Sequence, residues 1–409
     1  MMNKDTPYWR LSTCVIFRFF CLYLILYNAS YAPLWQAVVP WVGSHILHLK
    51  SAITTFTNGS GDTTYDYVLV LCYFVLATTG TIIWSIKDRY RSNYCKLHEW
   101  LRLLVRLVLA GAMISYGMAK VLPLQFGLPS LEQLVTPFGE TSPMGLLWRF
   151  MAASRAFTII AGLLEVIAGL MLIVPRLTTI ASMMCIGIMG HVFMLNLCYD
   201  VPVKLFSFHL LFMSFFLLAP DLPRLANVFL FQTQVEPPPA RQLFKFKWLN
   251  QTAFFLQLSI GLVFVLQSFH ACNTMIIMQP GVDSESPLYG VWTADTFLIN
   301  DVIQPPLLTD ATRWHRVIFD APHTLCIQKM TGAWDYYNLH LEESTHALSL
   351  TKSDDANWKA QLKWTEHTPD QITIEGILDG QKIVAKLQRK EFLLLNRGFH
   401  WINEYPMNR

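Results

Sequence analysis

Several ionisable side chains lie within strongly apolar stretches of this sequence, among them Lys120, Glu165, His191 and His209. An amine, a carboxyl group and imidazoles in such surroundings can exchange protons and can hydrogen-bond a polar ligand head, such as that of a quinone. These residue types predict a polar site inside an apolar part of the protein, with a quinone as the candidate cofactor.

Glu165 has the fewest ways to reach water. Gly162 and Gly169 flank it at spacings of three and four residues, so in a helix all three share one face that a neighbouring helix can approach closely. A carboxyl group buried there is neutral or paired with a cation, for which Lys120 and His191 are the candidates. We therefore expect a cluster of Glu165, Lys120 and His191. Its alternative role is structural, since a buried ion pair can fix helix register without chemistry.

A short polar segment separates the apolar stretches that contain His191 and His209. It includes Asn196, Tyr199, Asp200 and Lys204. Asp200 and Lys204 bracket Pro202, which predicts an ion-paired hairpin at a membrane boundary. The alternative is that these residues contribute to the polar site.

The cysteine pattern excludes several kinds of redox centre. The eight cysteines form no Cys-x-x-Cys motif and no Cys/His spacing typical of a metal site, so no metal is expected. Cys198, Cys272 and Cys326 fall on the side of the membrane expected to be oxidising, which allows one disulfide, with Cys272–Cys326 the preferred pair. The sequence also contains no P-loop and no Gly-x-Gly-x-x-Gly motif.

The composition indicates two different solvents. The chain is 53% apolar and 14% charged, whereas soluble proteins carry about 25% charged residues. Residues 283–409 hold 29 charged positions in 127, but residues 1–282 hold only 30 in 282. The first part therefore belongs in lipid and the second in water. The net charge of +3 leaves no basic surface typical of nucleic-acid binding, so the bilayer is a predicted partner and nucleic acid is not.

Seven segments approach the roughly 20 apolar residues that a membrane-spanning helix needs. The predicted spans are Cys14–Tyr31, Tyr65–Ile86, Leu103–Leu122, Phe157–Val174, Leu177–Cys198, Val203–Leu218 and Gln251–Phe269. Connections on one side of these spans carry 12 Lys and Arg residues, and those on the other side carry 4. Because positive flanks resist translocation, this asymmetry predicts a cytoplasmic N-terminus and an extracytoplasmic C-terminal domain.

The polar C-terminal part has the pattern of an antiparallel β-barrel. Alternating runs predict strands at 291–299, 314–319, 324–329, 336–341, 347–351, 359–364, 371–377 and 382–388, with a late stretch at 392–396. Asp379-Gly380 between two runs predicts a type I′ hairpin turn. Gly290-Val291-Trp292 resembles the opening Gly-x-Trp of lipocalin-type barrels. Such a barrel holds one ligand or is filled by its own side chains, and this pattern does not choose between them.

The predicted fold is thus an all-α membrane bundle followed by a β-barrel. Its domains are two N-terminal membrane helices (1–100), a four-helix membrane core (101–230), a Pro-rich cytoplasmic linker (231–250), a seventh membrane helix (251–270) and a lipocalin-like barrel (283–409).

Residues 101–221 resemble the DoxX-like family of four-helix membrane proteins. The resemblance rests on the order and spacing of short motifs: Leu101-Arg102-Leu103-Leu104-Val105-Arg106, Tyr116-Gly117-Met118-Ala119-Lys120, Phe126-Gly127-Leu128-Pro129-Ser130, Leu163-Leu164-Glu165-Val166-Ile167-Ala168-Gly169, Pro175-Arg176 and His191. It implies a bundle associated, in some members, with quinone- or thiol-linked redox systems of a bacterial inner membrane. An extracytoplasmic redox protein is then the implied partner.

Two functions compete at this point. The first is a subunit or partner of a membrane redox system concerned with oxidative stress, in which the polar site binds a quinone. The second is a non-enzymatic scaffold, in which the bundle anchors a barrel that binds a ligand or a protein. Whether the chain is an enzyme is left open by the residues.

Reporter fusions test the predicted orientation directly. A fusion after Leu230 should report the cytoplasm, and a fusion after Gly281 should report the exterior, because the span at 251–269 lies between them. If both fusions report the same side, this segment does not cross the membrane.

Overall fold

The computed structural model describes residues 8–29, 32–50, 53, 59–235, 243–278, 286–321, 323–352, 355 and 358–408. Its contacts divide the chain into two compact units. The membrane unit comprises Met1–Gln125 and Ala156–Cys272, and the barrel unit comprises Phe126–Arg155 and Asn273–Arg409. Pro237–Pro239, part of the predicted cytoplasmic linker, lie outside the described residues.

All seven predicted spans are confirmed as helices long and apolar enough to cross a membrane. The α-helices of the described residues are α1 Leu11–Asn28, α2 Ala32–His45, α3 Thr64–Lys87, α4 Cys95–Val121, α5 Leu131–Val135, α6 Pro143–Ala152, α7 Arg155–Ile173, α8 Thr178–Cys198, α9 Lys204–Leu218, α10 Leu222–Phe229, α11 Lys247–Met278 and α12 Leu393–Asn396. The spans are α1, α3, α4, α7, α8, α9 with α10, and α11.

Helix α2 is an element that the sequence did not predict. Its 14 residues contain Pro40 and are too short to cross a membrane. Trp35 and Val39 of this helix are buried against Val68 and Tyr73 of α3. Packing on α3 therefore positions this helix. Its sequence has no hydrophobic periodicity strong enough to have predicted it.

Helices α4 and α7 approach each other closely through glycine. A Cβ atom added at Gly162 would lie 2.6 Å from the Gly117 carbonyl oxygen and 2.9 Å from the Val121 amide nitrogen. No side chain fits at that distance, so both glycines are required by the contact. This contact turns the face that carries Glu165 towards α4, as the glycine spacing predicts.

Arg18 holds one end of the bundle together. It is 1% exposed, although it lies within α1. Its guanidinium donates hydrogen bonds to the Tyr94 hydroxyl at 2.9 Å, the Ser85 hydroxyl at 2.9 Å and the Asp88 carbonyl at 2.8 Å. A charge that would be costly in hydrocarbon thereby ties α1 to the end of α3 and the start of α4.

The C-terminal part forms the predicted antiparallel barrel. Its strands are β1 Gly290–Ile299, β2 Val302–Ile303, β3 Trp314–Ala321, β4 Thr324–Lys329, β5 Trp334–Glu342, β6 Ala347–Thr351, β7 Lys359–Thr368, β8 Gln371–Leu378 and β9 Gln381–Arg389. Each of the strands from β3 to β9 pairs with the next, and β1 closes the barrel by pairing with both β3 and β9. The two-residue β2 extends the edge of β1.

The barrel interior is filled by its own side chains. Trp292, Phe297, Trp314 and Phe319 are each at most 2% exposed and belong to one hydrophobic core. Trp364 joins the same core, whereas Trp401 is 91% exposed. Between the two alternatives left open by the sequence, the structure has the filled barrel, which an eight-stranded closure can achieve with large inward side chains.

Two local predictions in the barrel have different outcomes. Asp379 and Gly380 both have positive φ, at 50° and 76°, so the predicted type I′ turn is confirmed. The late stretch at 392–396, predicted as a strand, is instead the short helix α12. It follows β9, whose edges are already paired with β8 and β1, so no barrel edge remains for it.

The connection between α4 and α7 groups with the barrel. Ser130 and Gln133 form a capping box at the start of α5. Leu131 of α5 is buried with Val291, Ile318 and Cys326 of the sheet, and its amide donates to the Asp320 carboxylate at 3.2 Å. The segment is therefore packed on the outer face of the barrel sheet through both apolar and polar contacts.

Replacing Gly162 by Ala should destabilise the bundle, because the new methyl group meets backbone atoms of α4. Overpacking of this kind costs about 1–3 kcal/mol, more than the roughly 0.5–1 kcal/mol that Ala gains over Gly in a helix. Gly187→Ala is the matched control, since its Cβ meets nothing within 4 Å. Thermal unfolding in detergent should show a lower midpoint for Gly162→Ala alone. Equal midpoints for the two variants would contradict the close contact.

Candidate functional site

Lys120 and Glu165 form a buried ion pair in the membrane unit. The Lys120 Nζ atom donates to Glu165 Oε1 at 2.8 Å and to Oε2 at 2.7 Å. The two residues are 7% and 2% exposed. Because lipid would leave either charge unsatisfied, each side chain supplies the neutralisation that the other needs.

His191 does not join this pair. It is exposed on the surface of the unit, while the buried stripe of α8 runs through Ala181, Cys185, Met189 and Asn196. A position two residues beyond Met189 points about 200° away from that stripe in an α-helix. The structure thus brings together two of the three residues expected in the cluster.

His209 lies in a second polar group, together with two tyrosines of α1. Its Nε2 atom is 2.6 Å from the Tyr23 hydroxyl, and its ring stacks on Tyr27 with centroids 3.9 Å apart and planes 5° from parallel. Tyr23 also stacks on Phe19 at 5.9 Å. His209 is 2% exposed, whereas Tyr23 and Tyr27 are half-buried.

The hydrogen bonds of His209 define its tautomer. Its Nδ1 atom is 2.6 Å from the Leu205 carbonyl oxygen, which can only accept, so Nδ1 carries a proton. In the neutral imidazole, Nε2 then accepts the hydrogen bond that the Tyr23 hydroxyl donates. A phenol and an imidazole in this arrangement can pass a proton between them.

The polar hairpin between α8 and α9 contains the expected ion pair. Lys204 Nζ lies 2.8 Å from the Asp200 carboxylate, which is 84% exposed. A stronger interaction involves Asp62, whose carboxylate accepts from the backbone amides of Lys204 at 2.7 Å and Leu205 at 2.9 Å. This buried carboxylate caps α9, where the helix dipole favours negative charge.

The remaining hairpin residues have structural contacts. Asn196 is buried and donates to the Ser207 hydroxyl at 2.9 Å, which joins α8 to α9. The Tyr199 amide donates to the Leu195 carbonyl and ends α8. These contacts make the hairpin a helix-to-helix connection and do not bring Tyr199 or Asp200 to either polar pair.

Cys272 and Cys326, the pair predicted to form a disulfide, are free thiols in the structure; Cys272 belongs to the membrane unit and Cys326 to the barrel unit, so their pairing stays a prediction. Cys272 lies in α11, and Cys326 is packed as a small apolar side chain beneath α5. Burial, together with the nearby carboxylates of Glu132 and Asp320, raises the pKa of the Cys326 thiol to about 12. This thiol therefore stays protonated and unreactive at neutral pH.

Sequence reasoning missed three residues of these clusters. Tyr23 and Tyr27 follow Phe19 at intervals of four, a spacing that places three aromatic rings on one face of α1 and would have been a usable signal. Asp62 carried no such signal, since its partners lie 142 and 143 residues further along the chain.

Comparison with known proteins gives a relative but no function. The uncharacterized protein YwoB of Bacillus subtilis (strain 168) is 29% identical over 143 residues, which are 34% of this chain and 86% of YwoB. No family model matches the chain. No solved structure matches it either.

Removing one partner of the Lys120–Glu165 pair should be more harmful than removing both. Lys120→Met or Glu165→Gln alone leaves the other group unpaired in hydrocarbon, which typically costs about 3–5 kcal/mol. The double variant should unfold at a midpoint nearer that of the wild type. Thermal unfolding of all four proteins in detergent gives the coupling between the two sites. Independent, additive effects would contradict a direct ion pair.

Proposed function

We propose that this protein is the membrane subunit, or membrane partner, of a bacterial redox system, and that it binds a quinone-type ligand at Tyr23 and His209. The observation that carries the proposal is the part-buried hydrogen bond between the Tyr23 hydroxyl and His209 Nε2, set beside stacked aromatic rings. An ionisable group inside a membrane marks a functional site by default, and this one has a partner suited to proton exchange.

The position of the rings favours a planar ligand that arrives from the lipid. Tyr23 and Tyr27 are half-buried, so their rings reach the surface of the bundle, while the imidazole of His209 is closed off. A quinol head could stack on these rings and donate a hydrogen bond to the Tyr23 hydroxyl oxygen, whose own proton is donated to His209. Reduction of a quinone to a quinol consumes two electrons and two protons. This chain is proposed to handle the ligand and its protons, with electrons supplied by a separate protein.

The proposed orientation has the N-terminus in the cytoplasm of a cell with an inner membrane and the barrel outside it. It follows from the 12 to 4 distribution of Lys and Arg in the connections. In this orientation, Tyr23 near the end of α1 and His209 near the start of α9 both fall in the outer half of the bilayer. Lys120, near the end of α4, falls in the same half. The resemblance of residues 101–221 to DoxX-like proteins supports the same class of function.

A second candidate function is a membrane-anchored scaffold for a protein partner. The filled barrel interior disfavours ligand capture inside it. The barrel unit nevertheless exposes a short apolar segment, in which Val302, Ile303, Leu307 and Leu308 are between 56% and 76% exposed. Exposed apolar clusters of this kind are typical of interaction surfaces.

Quinone binding by the purified full-length protein tests the first proposal. Binding of a short-tailed ubiquinol analogue, measured by calorimetry in mild detergent, should be weakened roughly three- to tenfold by Tyr23→Phe, which removes one hydrogen bond and keeps the ring. Tyr116→Phe is the matched control, because Tyr116 is another partly exposed tyrosine of the bundle and contacts Phe206 instead of His209.

The two candidate functions give different results. Absence of analogue binding by the wild type, or equal weakening by Tyr23→Phe and Tyr116→Phe, would reject the quinone site. A partner whose capture is lost when Leu307 and Leu308 are replaced by Ser would then favour the scaffold. In cells, loss of resistance to superoxide and thiol stress by Tyr23→Phe at normal protein level would support the redox role.

A further inference from the structure

A small cavity lies in the membrane unit beside the first half of α4, whereas the Lys120–Glu165 pair lies near the other end of this helix. Its volume is about 130 Å³, room for roughly four water molecules. Arg102 and Arg106 line it from α4, Thr178 from the start of α8, and Asn250 and Gln257 from α11. The quinone proposal does not use any of these residues.

Arg106 points to a ligand in this cavity. Its side chain is 9% exposed; one terminal nitrogen donates to Gln257 Oε1 and the other lies 3.4 Å from Thr178 Oγ1. Its Nε atom is buried and has no hydrogen-bond partner among the residues that the structure describes. A buried guanidinium with an unused donor is costly unless an acceptor occupies the space beside it.

The charges around the cavity favour an acceptor with a single negative charge. Arg102 contacts the Asp221 carboxylate at 3.9 Å, and Asp221 also contacts Arg224 at 3.6 Å. Counted over the described residues that line the cavity or are ion-paired to its lining, Arg106 and the half-buried Glu99 bring this to three cations against two carboxylates. The surplus of one positive charge matches a phosphodiester better than a phosphate dianion.

The level of the cavity in the bundle fits a lipid headgroup. Arg106 contacts the first residue of α8, so the cavity lies where that span begins. Helix α8 has no side-chain cap at this end, and its dipole adds positive potential there. Basic pockets between membrane helices at this depth are suited to the phosphates of anionic lipids.

We infer that the cavity between α4, the start of α8 and α11 binds the phosphate group of an anionic phospholipid, with Arg106 and Arg102 as its principal ligands. Arg106 supplies its free Nε–H, and its planar guanidinium suits phosphate oxygens. The site is independent of Tyr23 and His209, which lie towards the opposite end of the spans.

Stabilisation of the detergent-purified full chain by added lipid tests the site, since a ligand that binds only the folded state raises the unfolding midpoint. Phosphatidylglycerol should raise the midpoint more than phosphatidylcholine. Arg106→Gln should weaken the apparent affinity for phosphatidylglycerol roughly tenfold or more, because charge-assisted hydrogen bonds are lost. Ala253→Leu, which fills the cavity without changing any charge, should have the same effect and does not depend on a stable Arg106 variant.

Arg176→Gln is the matched control, because Arg176 is an exposed cation near the same end of the bundle and does not line the cavity. This variant should keep the response to phosphatidylglycerol. Wild-type responses in both Arg106→Gln and Ala253→Leu, or an equal loss in Arg176→Gln, would overturn the site in favour of general surface attraction. Inorganic phosphate is the last arm: full stabilisation by it would overturn the lipid assignment and identify a free anion as the ligand.

Discussion

Hydrocarbon offers no hydrogen-bond partner, so a buried ionisable side chain in the membrane unit needs a partner from another part of the protein or from a bound ligand. This constraint determines which helices meet. Lys120 and Glu165 join α4 to α7, and Tyr23 and His209 join α1 to α9. The guanidinium of Arg18 joins α1 to the connection between α3 and α4. Apolar packing against lipid-like neighbours could not select these partners, because lipid tails compete equally well for apolar surface.

Two features therefore position helices α4 and α7: an ion pair that attracts them, and glycines that allow their backbones to come close. Gly117 and Gly162 let α4 and α7 approach, and the ion pair uses that approach. A long side chain at either glycine would hold the helices apart and leave Glu165 in hydrocarbon without its cation. The barrel unit is governed instead by shape, since its core is made of large aromatic and aliphatic side chains that fill a closed sheet.

Period and composition were enough to predict most of the architecture. The seven spans, the barrel strands and the turn at Asp379-Gly380 are local patterns, and each could be recognised without knowing any partner. The side-chain contacts between helices were harder to predict. Lys120 could be matched to Glu165 because few cations lie in the spans, but His191 could not be excluded without the rotation of α8. Asp62 became visible only when segments more than 140 residues apart were brought together.

The barrel unit is assembled from two pieces of chain that are made at different times. The segment Phe126–Arg155 belongs to it, yet four membrane spans are synthesised between this segment and the first barrel strand, which begins at Gly290. At about 5–20 residues per second, Leu131 of α5 waits on the order of 10 s or more before the sheet that buries it exists. During this interval the apolar side chain of Leu131 is uncovered, and its backbone amide lacks the Asp320 carboxylate that later accepts its hydrogen bond. The order of the chain thus creates a period in which this segment of the barrel unit has been synthesised and the sheet that buries Leu131 has not.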